Sequence, residues 1–376
     1  MDIAFVTTRL VENDAQGNFS AATLAALKGR AGRVTLYAFA YERPPVEGIE
    51  VRFLGGRNGH SLKSNAAALA RTLQSAKELA AFDLLVLAGP DVGALPAVHL
   101  AKRRNPRMRL FWVYHSMTPP ELLPSFKERL LTRLRGIAYR MSMRRSDRVQ
   151  TFSEFVKKEL TDAGIDGYKI VPAPFLIDTR RFASGDRDRI RAKYELSDRF
   201  VLLYVGRLAP AKRVDRLIRA MALLKGEQVA LVIVGGGPEE ARLKALAAGL
   251  GVGGAVKFAG RVPDAELPDY YAACDAWATA SEHEGFCVPI VEAMAAGRPV
   301  VVPDVTAMPE TAGDAGLVFR PGDIDGLGRC IRAISSDRAL YERLAGSARS
   351  RAGAFDVYKA MEAYTAMLTG AEAGGR

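Results

Sequence analysis

Short apolar runs alternate with amphipathic stretches along nearly the whole chain. The runs Ile3–Thr8, Arg33–Phe39, Ile49–Leu54, Leu84–Ala88, Leu110–His115, Arg148–Phe152 and Lys169–Pro172 are rich in Val, Leu, Ile and aromatic residues. That is the composition of strands buried on both faces. Between them, stretches near 18–29, 62–80, 93–104, 120–145 and 153–163 carry apolar residues at helical spacing. Val171–Phe182, stiffened by Pro172 and Pro174, interrupts the series and reads as a crossing between domains. A second series then runs through Phe200–Val205, Val229–Val234, Val256–Pro263, Asp275–Thr279, Val300–Val302 and Gly316–Phe319. Its first helix places Val214, Leu217, Ile218, Met221 and Leu224 on one face. Repeated strand–helix units predict an α/β protein of two domains, 1–175 and 176–354, each with a parallel sheet covered by helices.

Composition narrows the class. The chain has 376 residues, 49% hydrophobic and 25% charged, as soluble globular proteins do. No apolar run approaches the ~18–20 residues of a membrane span, and Met1–Val6 enters a strand without a secretory pattern, so a cytoplasmic chain is expected. Cys274, Cys287 and Cys330 lack the paired spacing of disulfides or structural zinc. The formal net charge is +11, and 127–148 alone holds eight basic residues against Glu128 and Asp147, a local +6. There Leu130, Leu131, Leu134, Ile137, Ala138 and Met141 recur every three or four residues. A basic amphipathic helix of this kind can lie on an anionic membrane as a peripheral contact. It can equally be a domain helix with a solvated basic face and a buried leucine stripe. The pattern leaves both open. Nucleic-acid binding is disfavoured despite the charge, because no aromatic-interleaved basic motif accompanies it.

The chemistry concentrates at strand-to-helix turns, where open α/β sheets bind ligands. Glu284-Gly285-Phe286-Cys287-Val288 follows the Asp275–Thr279 run and opens a helix closed by Gly297 and Pro299, with Glu292 two turns along it. Backbone N–H groups of Phe286, Cys287 and Val288 at that helix start offer an anion site. Arg207 and Lys212 flank the turn after Phe200–Val205, and His115 ends the strand Leu110–Tyr114. Gly235-Gly236-Gly237-Pro238-Glu239-Glu240 fails the dinucleotide fingerprint at its third glycine, which disfavours a nicotinamide-dependent oxidoreductase. Asp186-Arg187-Asp188 and Asp323-Ile324-Asp325 end no buried strand, so no metal site is assigned to them.

The phrase from Glu284 to Glu292, with Ala293-Met294-Ala295-Ala296-Gly297 after it and Gly206-Arg207-Leu208…Lys212 before it, resembles the retaining glycosyltransferases of family 4. The resemblance covers nearly the whole chain, most strongly 200–322 and least before 110. It implies a GT-B fold, two Rossmann-like domains whose sheets face each other across a cleft, with a last helix over 355–370 packing back on the first domain. It implies sugar transfer, with retention and without a metal or other cofactor, from a UDP- or GDP-linked donor to a glycan, glycolipid or small-molecule acceptor. His115, Arg207, Lys212 and Glu284 would then be catalytic. Gly17, Val262, Gly285, Phe286, Cys287, Val288 and Glu292 would bind the donor. Three departures from the family stand out: Gln16-Gly17 where a Gly-Gly pair is common, Ala173-Pro174 where Asn-Gly is usual, and Cys287 where a small residue is. A nucleotide-sugar epimerase of the same fold is the alternative activity.

Overall fold

The computed structural model describes residues 1–11, 15–42, 46–53, 74–89, 92–123 and 125–370. His60, Leu54 and most of the expected helix 62–80 lie outside the described residues. The chain divides into two compact units, one of Met1–Pro120, Pro124–Leu176 and Ala360–Arg376, the other of Glu121–Leu123 and Ile177–Lys359.

The first unit is built on β1 (Asp2–Val11), β2 (Arg33–Glu42), β3 (Glu50–Phe53), β4 (Leu84–Ala88), β5 (Arg109–Val113), β6 (Arg148–Thr151) and β7 (Ile170–Pro172). They form one sheet in the order β3-β2-β1-β4-β5-β6-β7, parallel throughout. All five residues of β4 are buried, as helices on both faces require. Val6, Leu87, Leu110, Trp112 and Val149 meet in the core. The helix Val357–Thr369 joins this unit through Tyr364, whose hydroxyl donates to Gln150 Oε1 at 2.6 Å and whose ring lies 5.2 Å from Phe19.

The second unit carries β8 (Phe200–Val205), β9 (Val229–Val234), β10 (Val256–Gly260), β11 (Ala276–Ala278), β12 (Val300–Pro303) and β13 (Gly316–Phe319). The order is β10-β9-β8-β11-β12-β13, again all parallel. Chain order reverses between β8 and β11, so the loops leaving those strands diverge and open a crevice at their carboxyl ends. Arg191 and Asp275 hold the base of this arrangement. The buried guanidinium donates to Asp275 Oδ2 at 2.6 Å and to the carbonyl of Ala273 at 3.0 Å, while Asp275 accepts Val201 N at 2.8 Å.

Among the boundaries that differ from expectation, three bear on the site. β5 stops at Val113, so His115 lies in the loop beyond it. The long helix begins at Phe126, not near 120, because Ser125 and Glu128 form a reciprocal capping box there; Pro120–Leu122 is a separate 3-10 turn. Gly17 is buried inside the first turn of the helix Ala15–Lys28 rather than in the loop before it.

Candidate active site

The loops after β8 and β11 meet at the switch point of the second unit. Lys212, at the end of the 3-10 turn Pro210–Lys212, donates from Nζ to Glu284 Oε1 at 2.7 Å. Arg213 and Arg216 both donate to Glu282 Oε1, at 2.7 and 2.6 Å, and Glu282 N donates to the carbonyl of Ala211 at 2.9 Å. Glu284 N donates to Thr306 Oγ1 at 3.3 Å. The two glutamates are therefore held by Lys212, Arg213 and Arg216, which fixes the turn. Arg207 leaves the same loop exposed, and its guanidinium makes no hydrogen bond or ion pair among the described residues.

The glycine run after β9 serves this loop. A Cβ on Gly235 would run into the carbonyl oxygen of Gly206, and one on Gly237 into that of Leu208. The glycines let two strand-end loops lie against each other, which is why they read as a dinucleotide fingerprint only in part.

Phe286, Cys287 and Val288 lead into the helix Val288–Ala295. Cys287 is its N-cap at φ +67°, a left-handed conformation that side chains other than glycine adopt at a cost of about 1–2 kcal/mol. The turn is clamped from below: Thr311 Oγ1 donates to the Phe286 carbonyl at 3.0 Å, and the Phe286 ring lies 5.6 Å from Phe355. Pro289 has no N–H and that of Ile290 donates to the Cys287 carbonyl at 3.0 Å, so of the helix's first three residues only Val288 has an N–H to offer an anion. Burial raises the Cys287 thiol well above its ordinary value, so it is not a thiolate there.

Glu292 lies one helical turn beyond Val288 on that helix. Tyr271 donates to its Oε2 at 2.6 Å, and Oε1 has no hydrogen-bond partner among the described residues. Burial pushes the Glu292 carboxyl up to about 7, against the Tyr271 hydrogen bond and the charge of Arg181. Tyr271 is fully buried, and its hydroxyl orients Glu292. No spacing links residues 21 apart on different helices, so only the topology reveals the pair. Val262, in the bend after β10, is half-buried. His283 is buried beside Glu284, its imidazole pKa lowered chiefly by burial.

His115 and Gly17 belong to the other unit. The His115 ring stacks 4.9 Å from Phe152 and 6.5 Å from Phe175. Its Nε2 is shielded from solvent and has no hydrogen-bond partner among the described residues. Burial pushes its pKa down to about 4, so the imidazole is neutral near neutrality. A neutral ring with an unsatisfied nitrogen is suited to hydrogen-bonding a hydroxyl.

The first aspartate of each Asp-x-Asp pair is spent on a helix cap. Asp186 accepts the N–H groups of Asp188 and Arg189, and Asp323 that of Gly326. Among the described residues no group of three or more His, Cys, Asp or Glu is arranged to hold a metal ion.

The helix Phe126–Arg144 corrects one reading of its leucine stripe. Leu130, Leu131, Leu134, Ile137 and Met141 are each 47–54% exposed, and Phe126 81%. The stripe faces outward; the side turned to the unit carries Thr132, Gly136, Tyr139 and Met143 instead. Among the described residues no helix is long and apolar enough to cross a membrane.

Two family models match the chain, that of Glycosyltransferase Family 4 over residues 17–181 and that of Glycosyl transferases group 1 over 186–351. The O-antigen chain mannosyltransferase B of Escherichia coli is 29% identical over 260 residues, 66% of each chain. The lipopolysaccharide core biosynthesis glycosyltransferase LpsE of Rhizobium meliloti is 31% identical over 256 residues, 67% of this chain and 72% of its own. The matched stretches span about half to two thirds of the length of most curated relatives. The crystal structure of Anabaena Alr3699/HepE in complex with UDP superposes with a TM-score of 0.79 at 24% identity, over 98% of this chain and 100% of that one, so the fold is shared.

Proposed function

The chain belongs to the glycosyltransferases of group 1 and family 4, and we propose that it moves a sugar from a nucleoside-diphosphate sugar to an acceptor hydroxyl with retention at the anomeric carbon. The observation that carries this is the Lys212–Glu284 pair at the switch point, between exposed Arg207 and the start of the helix Val288–Ala295.

In the reaction the bond from the anomeric carbon to the phosphate oxygen breaks, and its electron pair leaves with the diphosphate. Arg207, Lys212 and the N–H groups at 286–288 stabilise that growing charge, a role that needs no metal in this scheme. Glu284 holds sugar hydroxyls near the positively charged carbon and keeps Lys212 in place. Glu292, with Oε1 open, accepts the ribose hydroxyls, and Val262 borders the base through its backbone. The acceptor oxygen attacks the face the phosphate leaves. Its proton passes to the departing phosphate oxygen, so no covalent carboxylate intermediate is required. Gly17, through its backbone, and His115, through Nε2, are the further donor contacts of this reading. No cofactor beyond the nucleotide sugar enters.

UDP- and GDP-linked sugars are the donors of choice; HepE supports the first by its bound UDP, and a phosphatidylinositol-monomannoside mannosyltransferase relative, described as GDP-mannose-dependent, the second. The acceptor is a growing glycan or glycolipid of the lipopolysaccharide or polysaccharide kind, in keeping with the relatives' names. The outward apolar row and net +6 charge of 127–148 support peripheral contact at the anionic cytoplasmic face of a membrane.

Labelled UDP-glucose and GDP-mannose, incubated with the protein and bacterial lipid extract, test the reading. The expected product is a glycolipid whose NMR coupling shows the donor's anomeric configuration. Donor hydrolysis with no incorporation, or inversion, overturns it.

A further inference from the structure

A cavity of roughly 470 Å³ lies under the helix Phe126–Arg144, outside the switch-point site. Its roof is the inward side of that helix, and Met117, Pro119 and Leu160 supply much of its apolar wall. Ile137 both lines the cavity and belongs to the exposed apolar row, so the space opens onto the face that carries Leu130 and Leu134. Arg133 and Arg140 stand at its walls. The other polar groups are the hydroxyls of Thr118, Thr132, Tyr139 and Tyr114, the last pushed up to about 12, chiefly by burial, and the Glu159 carboxyl, raised by burial. An apolar cavity with a few convergent polar groups is the usual form of a small-molecule site.

Gly136 supplies an independent observation. It sits mid-helix in the roof, where glycine is unfavourable relative to alanine. Nothing in the backbone demands it. An added Cβ would have as its nearest neighbours only Arg140 Nη1 at 3.7 Å and Met117 Cε at 3.8 Å, ordinary contact. What the missing side chain preserves is space in the cavity.

From this juxtaposition we infer that the cavity receives one hydrocarbon chain of a phosphate-bearing lipid, with the phosphate at Arg133 and Arg140. The assignment rests on the glycosyltransferase reading only in naming that lipid as the acceptor; the chain-binding site itself stands on the cavity. It differs from adsorption of the outer face, which needs no cavity.

The test is calorimetry with dodecyl phosphate kept below its micelle concentration, with inorganic phosphate as the headgroup-only control. The wild type should bind one dodecyl phosphate per chain and bind inorganic phosphate far more weakly. Gly136→Leu should keep its melting temperature but lose affinity about a hundredfold, what the exclusion of three or four buried methylenes amounts to. Gly136→Ala should retain most of it. Thr132→Leu, one turn away in the same roof, gives the same test if Gly136→Leu folds poorly. Sedimentation with phosphatidylglycerol vesicles should be unchanged in Gly136→Leu, because the outer row is intact, and UDP or GDP binding should be unchanged as well. Equal binding of dodecyl phosphate by folded Gly136→Leu or Thr132→Leu and the wild type, no binding by the wild type, or equal binding of inorganic phosphate overturns the inference. Loss of nucleotide binding in the wild type would instead strike the glycosyltransferase reading and leave the cavity assignment standing.

Discussion

The second unit surrounds its candidate site with paired charge, whereas the first surrounds its with apolar surface. Around the switch point, Lys212, Arg213 and Arg216 each hold a glutamate of the neighbouring loop, and Tyr271 holds Glu292. In the first unit, His115 sits among Phe152 and Phe175 with Nε2 unsatisfied, and the helix Phe126–Arg144 turns its leucines outward. The difference suits two ligands of opposite character. A diphosphate is small, doubly charged and always the same, so its site can be preorganised with fixed dipoles and cations. An acceptor held at a membrane, as proposed above, would meet a surface whose recognition is apolar and diffuse.

The largest expected effect falls on the charged side of this comparison. Lys212→Ala and Glu284→Ala should each lower kcat by ~10²–10³, the cost of one preorganised group. Because the two side chains touch, the double variant should lose far less than the product of the single losses. Full activity in either single variant breaks the contrast.

A smaller effect sharpens it at Glu292. Its carboxyl titrates near 7 in the folded chain instead of at the ordinary 4.5, so the folded state keeps a proton that the unfolded chain releases over that window. Stability contributed by this group is therefore lost as pH rises from about 4.5 to 7. Glu292→Gln should melt above the wild type at pH 8, match it near pH 4, and show a raised KM for the donor. Tyr271→Phe should raise the donor KM with kcat little changed, and move the pH dependence of that KM upward, since the lost hydrogen bond favours the carboxylate. A pH-independent melting difference for Glu292→Gln would remove the argument.

On the apolar side, Leu130→Asp with Leu134→Asp should abolish sedimentation with anionic vesicles while leaving turnover of a soluble acceptor intact. Each arginine of the helix replaced by Gln should cost about 1 kcal/mol of vesicle binding at low salt. Binding that persists in the double aspartate variant would mean the row is not the contact. The smallest effect concerns His115. A neutral hydrogen bond to a hydroxyl is worth ~0.5–1.5 kcal/mol, so His115→Ala should lower kcat/KM about three- to tenfold. With its pKa pushed down to about 4, His115 should put no inflection into the rate profile between pH 5 and 8.

What the sequence made legible follows the same division. Fully buried parallel strands write themselves as apolar runs, and the turn from Glu284 to Val288 is one continuous phrase, so the sheets and the charged site could be read locally. The helix Phe126–Arg144 could not. Three- and four-residue spacing establishes that Leu130, Leu134 and Ile137 share a face but not whether that face is buried, and here it is exposed. The start of that helix turns on the Ser125–Glu128 capping box, inside a stretch whose helical spacing already begins near 120. Gly17 is expected in a loop because the resembling family carries a Gly-Gly pair there, yet here it lies in the first turn of a helix. Tyr271 and the Arg213–Glu282–Arg216 brace depend on which strands lie side by side, and that is a property of topology rather than spacing.

The central claim is that the switch point of the second unit is a nucleoside-diphosphate site, and thermal unfolding tests it most directly. The wild type and Arg207→Ala are melted with UDP, GDP, ADP, dTDP and NAD⁺ in turn, where a ligand at ~100 times its Kd adds about 2.7 kcal/mol of stability. The account predicts that UDP or GDP raises the melting temperature of the wild type and that the rise largely disappears in Arg207→Ala. A rise with NAD⁺ alone, or one of equal size in both proteins, would contradict it.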